Sequence, residues 1–127
     1  EHIDSSDARS PVLYVRYPLA RMRHKERKLV LAPQFLQVMR QYIAQYKPET
    51  HLFECTARNL EYVLGDVGEL AGIEQKSVSF EALRWTAAVR DYRTGMAPEQ
   101  LRKKLGLSQI SWRETGLKIR QLAGPAL

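Results

Sequence analysis

A chain of 127 residues, 44% hydrophobic and 27% charged, has the length and balance of one globular domain, able to bury about two-thirds of the surface its unfolded form exposes. That balance excludes disordered and collagen-like classes, and the longest apolar runs, such as LVLA and YVLG, fall far short of the roughly 20 residues a bilayer span requires. The net charge of +6 points instead to an anionic partner.

Cys55 is the single cysteine, and no Cys and His cluster has metal-ligand spacing. Neither an internal disulfide nor a metal or other cofactor is therefore expected, and a reducing, cytoplasmic setting follows. The opening EHIDSSDARS has no Met and no signal-like pattern, which predicts a piece of a longer protein rather than a secreted precursor.

Charge is unevenly placed. Arg9, Arg16, Arg21, Arg23, Lys25, Arg27 and Lys28 crowd the first quarter, acidic residues from Glu49 to Glu81 dominate the middle, and basic residues return at Arg84, Arg90, Arg93, Arg102, Lys103 and Lys104. Clustering of this kind is the footprint expected of a protein that neutralises phosphates of a nucleic-acid backbone. A solvated basic face is the plainer alternative.

In chain order, VLYVRYP and RKLVLA read as two β-strands of an antiparallel hairpin with a long basic tip, LARMRHKE, between them. No Gly or Asn-Gly fixes the turn type. From Pro33 the period becomes helical, with Phe35, Leu36, Val38, Met39, Tyr42, Ile43 and Tyr46 on one side, and the helix should stop before Pro48. Thr56 should cap a second helix carrying Leu60, Val63, Leu64, Val67 and Leu70, closed by Gly72. Ser79 should cap a third, EALRWTAAVRDYRTG, running to Gly95 with Leu83, Ala87 and Tyr92 toward a core. Pro98 starts a short helix closed by Gly106, and Ser108 caps a last one with Ile110, Trp112, Leu117, Ile119 and Leu122. The polar start and the closing GPAL should be weakly structured. The expectation is one domain, residues 1–127, mainly α with a small antiparallel β-hairpin.

This order, together with KERKLVL at 25–31, Leu52 and Phe53, Ala71-Gly72-Ile73, the helix motif Glu81-Ala82-Leu83-Arg84-Trp85-Thr86-Ala87-Ala88, then Gly95 and Leu105-Gly106-Leu107, resembles the catalytic domain of tyrosine recombinases, or phage integrases. The resemblance runs from Ile3 to about Ala123. It implies a recombinase-like fold and a metal-free chemistry in which a tyrosine hydroxyl attacks a DNA phosphodiester. Two arginines meet the developing charge, while a lysine and a histidine handle protons.

By this resemblance Arg84 is the second family arginine, and the first would lie in a helix upstream of this chain. The other positions depart from the pattern. Glu81 stands where a histidine or lysine belongs, Leu107 where the second histidine belongs, Met22 where the hairpin lysine belongs, and Lys118 where the nucleophilic tyrosine belongs. A small shift of register would recruit Lys25 for Met22. No tyrosine follows Tyr92.

Simpler readings stand beside these. Arg84 can pair with Glu81 on its own helix. Trp85 and Trp112 read as core aromatics, Cys55 as a buried or half-buried thiol, and Met22 as an exposed apolar residue at the hairpin tip.

The leading functional expectation is a DNA-binding domain that does not cleave, gripping duplex DNA through Arg21, Arg23, Lys25, Arg27, Lys28, Arg84, Arg102, Lys103, Lys104 and Arg113. Other recombinase-like protomers are a second class of partner, although the short tail favours a monomer; no membrane and no small-molecule substrate is expected. One alternative is a helix-turn-helix regulator built from residues 98–122, with Ser111, Trp112 and Arg113 on the recognition helix. Another is a fragment of an active recombinase, and a fourth is a domain that docks on recombinases without touching DNA.

Overall fold

The computed structural model describes residues 2–74 and 77–125; of the closing GPAL, residues 126 and 127 lie outside the described residues. The chain is mainly helical with a small three-stranded antiparallel sheet. Strands β2 (Val12–Val15) and β3 (Arg27–Val30) form the expected hairpin, with Tyr14 opposite Lys28 and Leu13 opposite Leu29. The Lys28 ammonium lies 5.8 Å from the Tyr14 ring centroid, so this cross-strand pair holds the hairpin by a cation–π contact.

Two features of this region differ from the sequence reading. The polar start is ordered far enough that β1 (Ile3–Asp4) pairs with β2, Ile3 facing Leu13. The tip is not an open loop: Ala20–Lys25 wind into a 3-10 helix. Its base is closed by the Glu26 carboxylate, which accepts from the Tyr17 N–H at 3.1 Å. Met22, within that 3-10 helix, is half-buried rather than exposed.

Five α-helices follow. α1 is Pro33–Tyr46, α2 Ala57–Leu70, α3 Phe80–Arg93, α4 Pro98–Leu105 and α5 Gln109–Ala123. Thr56, Ser79 and Ser108 each accept at the hydroxyl from the N–H three residues on, at 3.2, 3.0 and 3.2 Å, so α2, α3 and α5 begin where the sequence places them. α1 and α4 start on proline instead, where the lost N–H would have had no helical partner. α2 ends as expected at Gly72, which takes φ +71, while the Ile73 N–H returns to the Gly68 carbonyl. α3 stops at Arg93, before Gly95.

The core lies where α3, α4 and α5 meet. Leu101 and Ile119 are 0% exposed and Ala88 is 2% exposed, with Trp85, Tyr92, Met96, Leu105 and Trp112 packed around them. Each of the two large aliphatic side chains gains about 1.5–3 kcal/mol by this burial. β3 lies against α4, tying the sheet to the helices.

The buried faces differ from those read in the sequence. On α3 the buried residues are Ala88 and Asp91, and Leu83, expected in the core, points outward. α5 and α4 pack on α3, whose inward side carries Ala88 and Asp91, and helical spacing puts Leu83 well round the helix from that side. On α2, Leu60 and Leu64 are half-buried while Val63, Val67 and Leu70 are exposed. α2 turns a different side inward, where Gly68 is buried against Val78. On α1 only Leu36 of the expected stripe is buried. Cys55 is exposed, in the segment between α1 and α2. No described helix is long and apolar enough to cross a membrane.

Candidate nucleic-acid interface

The C-terminal end of α4 accounts for the charge of Arg84 on α3. A helix leaves its last carbonyls without helical partners, and these oxygens carry the negative end of the helix dipole. Here two guanidiniums meet them, and a third meets a carbonyl just past the helix. Arg84 donates from Nη2 to the Leu105 carbonyl, Arg27 from Nε to the Lys104 carbonyl at 2.8 Å, and Arg102 from Nη1 to the Leu107 carbonyl at 2.7 Å. Arg27 also donates to the Lys25 carbonyl at 2.8 Å, so it links the hairpin tip to α4. Gly106, at φ +69, turns the chain inside this ring.

Arg84 does not pair with Glu81. Glu81 is exposed in the first turn of α3, where a carboxylate meets the positive end of the helix dipole. Among the described residues, Arg84 keeps Nε and Nη1 without a hydrogen-bond partner. The cleft beside it is lined by Trp85, Ala88, Leu105 and Thr115 and holds only about 20 Å³, room for one water.

The other family-like positions are spread out. Met22 lies in the 3-10 helix, Leu107 is half-buried just after the α4 turn, and Lys118 stacks its ammonium 4.4 Å from the Trp85 ring centroid. Thr115, not Lys118, is the α5 residue that lines the Arg84 cleft. Trp112, placed on an exposed recognition helix in the helix-turn-helix reading, instead packs on the core and lies along Gly116. Trp85 is also a core aromatic, as expected.

The packing of β3 on α4 creates an open groove of about 970 Å³. Of the ten cations proposed for DNA, Arg27, Lys28, Arg102, Lys103 and Lys104 line it. They fall into two kinds. Arg27, Arg102 and Lys104 are held by protein partners: Arg102 by Glu99 and Leu107, and Lys104 by Asp91 at 2.6 Å. Lys28 and Lys103 are exposed and more loosely held, Lys28 over the Tyr14 ring and Lys103 in a 3.9 Å ion pair with Glu99. Arg21 and Arg23 are exposed on the tip beside the groove, Lys25 is half-buried there, and Arg113 is exposed in the first turns of α5.

Sequence reading missed two groove residues, His24 and Gln100, and the Asp91–Lys104 pair. His24 sits in the basic run, so composition could have included it. Asp91 carried a different signal: it follows Arg84 by seven residues, on the side of α3 that bears the core.

Glu99 has its carboxyl held below the ordinary glutamate range, first by the hydrogen bond from Arg102, against the effect of desolvation. Among the described residues no three His, Cys, Asp or Glu side chains gather as metal ligands. Comparison with protein-family models, with curated proteins and with solved structures finds no match.

Proposed function

We propose that this chain is a DNA-binding domain resembling the catalytic domain of a tyrosine recombinase, and that it grips duplex DNA without cutting it. The observation that supports it best is the groove between β3 and α4. Lys28 of the hairpin and Lys103 of α4, far apart in sequence, both line it, next to Arg21 and Arg23 of the tip. Exposed ammonium and guanidinium groups on one open surface suit a run of phosphates, and each contact would release condensed counterions. Arg84 lies apart from the groove, in its own small cleft, and offers a phosphate there the donors that Leu105 leaves free.

Cleavage has no support in the residues present. No tyrosine follows Tyr92 in the chain, and Thr115 carries the one hydroxyl that lines the Arg84 cleft. Lys118 is an amine over an indole, and an amine does not form the phosphotyrosyl ester of this chemistry.

The test is titration of labelled duplex DNA by fluorescence anisotropy at about 50 and 200 mM salt. Binding that weakens steeply with salt, and no protein–DNA adduct on a suicide substrate, is the expected result. No binding at the lower salt sinks the proposal. A covalent adduct would instead restore the active-recombinase reading.

One observation favours a second reading. α4 and α5 are joined through Gly106, Leu107 and Ser108, and Ile110, Ser111 and Arg113 are exposed at the start of α5, as in a helix-turn-helix. Loss of binding in Arg113→Ala with none in Lys28→Ala or Lys103→Ala would select it.

A further inference from the structure

Among the described residues that line the groove between β3 and α4, His24 alone is of a type that changes charge near neutral pH. Its side chain is exposed in the 3-10 helix of the hairpin tip. Nδ1 lies 3.0 Å from the Arg21 carbonyl oxygen, which can only accept, so Nδ1 carries the proton and donates it to this bond. Among the described residues Nε2 has no hydrogen-bond partner, and the ring is in no ion pair.

That arrangement fixes what each charge state offers. In the neutral ring Nε2 is a lone pair, which a phosphate oxygen cannot use. A second proton turns the same atom into a charged donor without breaking the bond to Arg21. The charges around the ring suit an anion. The tip brings Arg21, Arg23 and Lys25, β3 brings Arg27 and Lys28, and α4 brings Arg102, Lys103 and Lys104. Glu26 is the one carboxylate among the described groove residues, and it already accepts from the Tyr17 N–H.

We infer that His24 is a proton-dependent phosphate contact, so that duplex DNA entering the groove takes up a proton at Nε2. This rests on the groove being the DNA site. A phosphate pairs with the charged ring and not with the neutral one, so the complex favours protonation. Affinity therefore rises as pH falls through the ordinary imidazole range, about pH 6.5, and levels off above it.

Anisotropy titration of labelled duplex DNA with the full chain at about pH 6 and about pH 8, on either side of that range, tests this, with folding checked at both by circular dichroism. Binding should be about three- to tenfold tighter at the lower pH, where a bound-state shift of one pH unit is worth up to tenfold. The salt slope should also be steeper there by about 0.9, the mark of one more phosphate contact. His24→Gln, uncharged at both, should bind equally at the two pH values. His24→Lys, charged at both, should show the steeper salt slope at each. His2 and His51 line a separate cavity with Ile3 and Ile43, so His2→Gln and His51→Gln should keep the wild-type pH dependence. Wild-type binding that is the same at both pH values overturns the inference and leaves the DNA reading standing. So does a pH dependence that survives in His24→Gln. No binding at either pH, at about 50 mM salt, overturns both.

Discussion

Arg27 and Gly106 meet so closely that a Cβ on Gly106 would lie 2.6 Å from Arg27 Nη1. Gly72 has almost the same backbone, φ +71 against +69, with open space around it. The two glycines therefore separate backbone strain from crowding. Gly72→Ala should cost about 1–2 kcal/mol from the left-handed conformation alone. Gly106→Ala should cost about 1–3 kcal/mol more, because Arg27 cannot move aside without releasing the Lys104 and Lys25 carbonyls. Urea unfolding of both variants checks the difference, and pairing Gly106→Ala with Arg27→Ala should remove most of it.

Asp91 is buried in the α3–α4 interface, its side chain 11% exposed, with Lys104 as its close partner and Arg90 at 3.5 Å. Lys104→Met leaves a carboxylate in a poorly solvated place, at a cost of about 1–3 kcal/mol. Adding Asp91→Asn removes that charge, so the double variant should be more stable than Lys104→Met alone. An additive loss in thermal or urea unfolding would show that the pair is not coupled.

Packing is concentrated at the α3–α4–α5 junction, so equal truncations should have unequal effects. Leu101→Ala should lose about 2–5 kcal/mol, since Leu101 is 0% exposed. Leu70→Ala, at an 89% exposed site, should stay within about 0.5 kcal/mol. Equal unfolding midpoints for the two variants would place the core elsewhere.

Acid should loosen the α4 turn. The carboxyls of Asp4, Glu54 and Glu99 are all held below their ordinary ranges, by hydrogen bonds from Ser6, from the Thr50 and Glu49 N–H groups, and from Arg102 respectively. A carboxyl with a lowered folded pKa contributes stability above its unfolded pKa and loses it as pH falls through the folded one. The unfolding midpoint should thus drop as pH falls below the ordinary carboxylate range, and Glu99→Gln should make that drop shallower.

If the groove holds DNA, its two kinds of cation should respond differently. Lys103→Ala should weaken duplex binding and reduce the salt slope by about 0.9 per lost phosphate contact, with little change in stability, while Lys28→Ala should do the same and also loosen the hairpin by removing its contact with Tyr14. Arg102→Ala should lower the unfolding midpoint as well, because it releases Glu99 and the Leu107 carbonyl together. Anisotropy and thermal unfolding on the same three variants separate the effects.

The sequence by itself determined where elements begin and end. Thr56, Ser79 and Ser108 start helices through bonds to N–H groups three residues away, and Gly72 and Gly106 end them by taking a conformation that costs other residues. Such signals act over one turn of chain, so they can be read without knowing the fold. Helical period also placed apolar residues together on each helix, but not which side would be covered. Leu83, Val63 and Val67 were expected inside and are exposed, because the side that is buried depends on which helix packs there.

Tertiary structure alone decided the meaning of the basic residues. Arg27 and Lys28 are neighbours of the same charge, yet one is held on the carbonyl of Lys104 and the other lies over the Tyr14 ring at the groove's edge. Composition counts both as cations available to a phosphate. Strand alternation sends them to opposite faces of β3, and only the packing of β3 on α4 makes one of those faces a site of protein hydrogen bonds. Arg84 belongs to α3, but the group that uses its charge is in α4, whose terminal carbonyl it satisfies across a distance in sequence that no local pattern records.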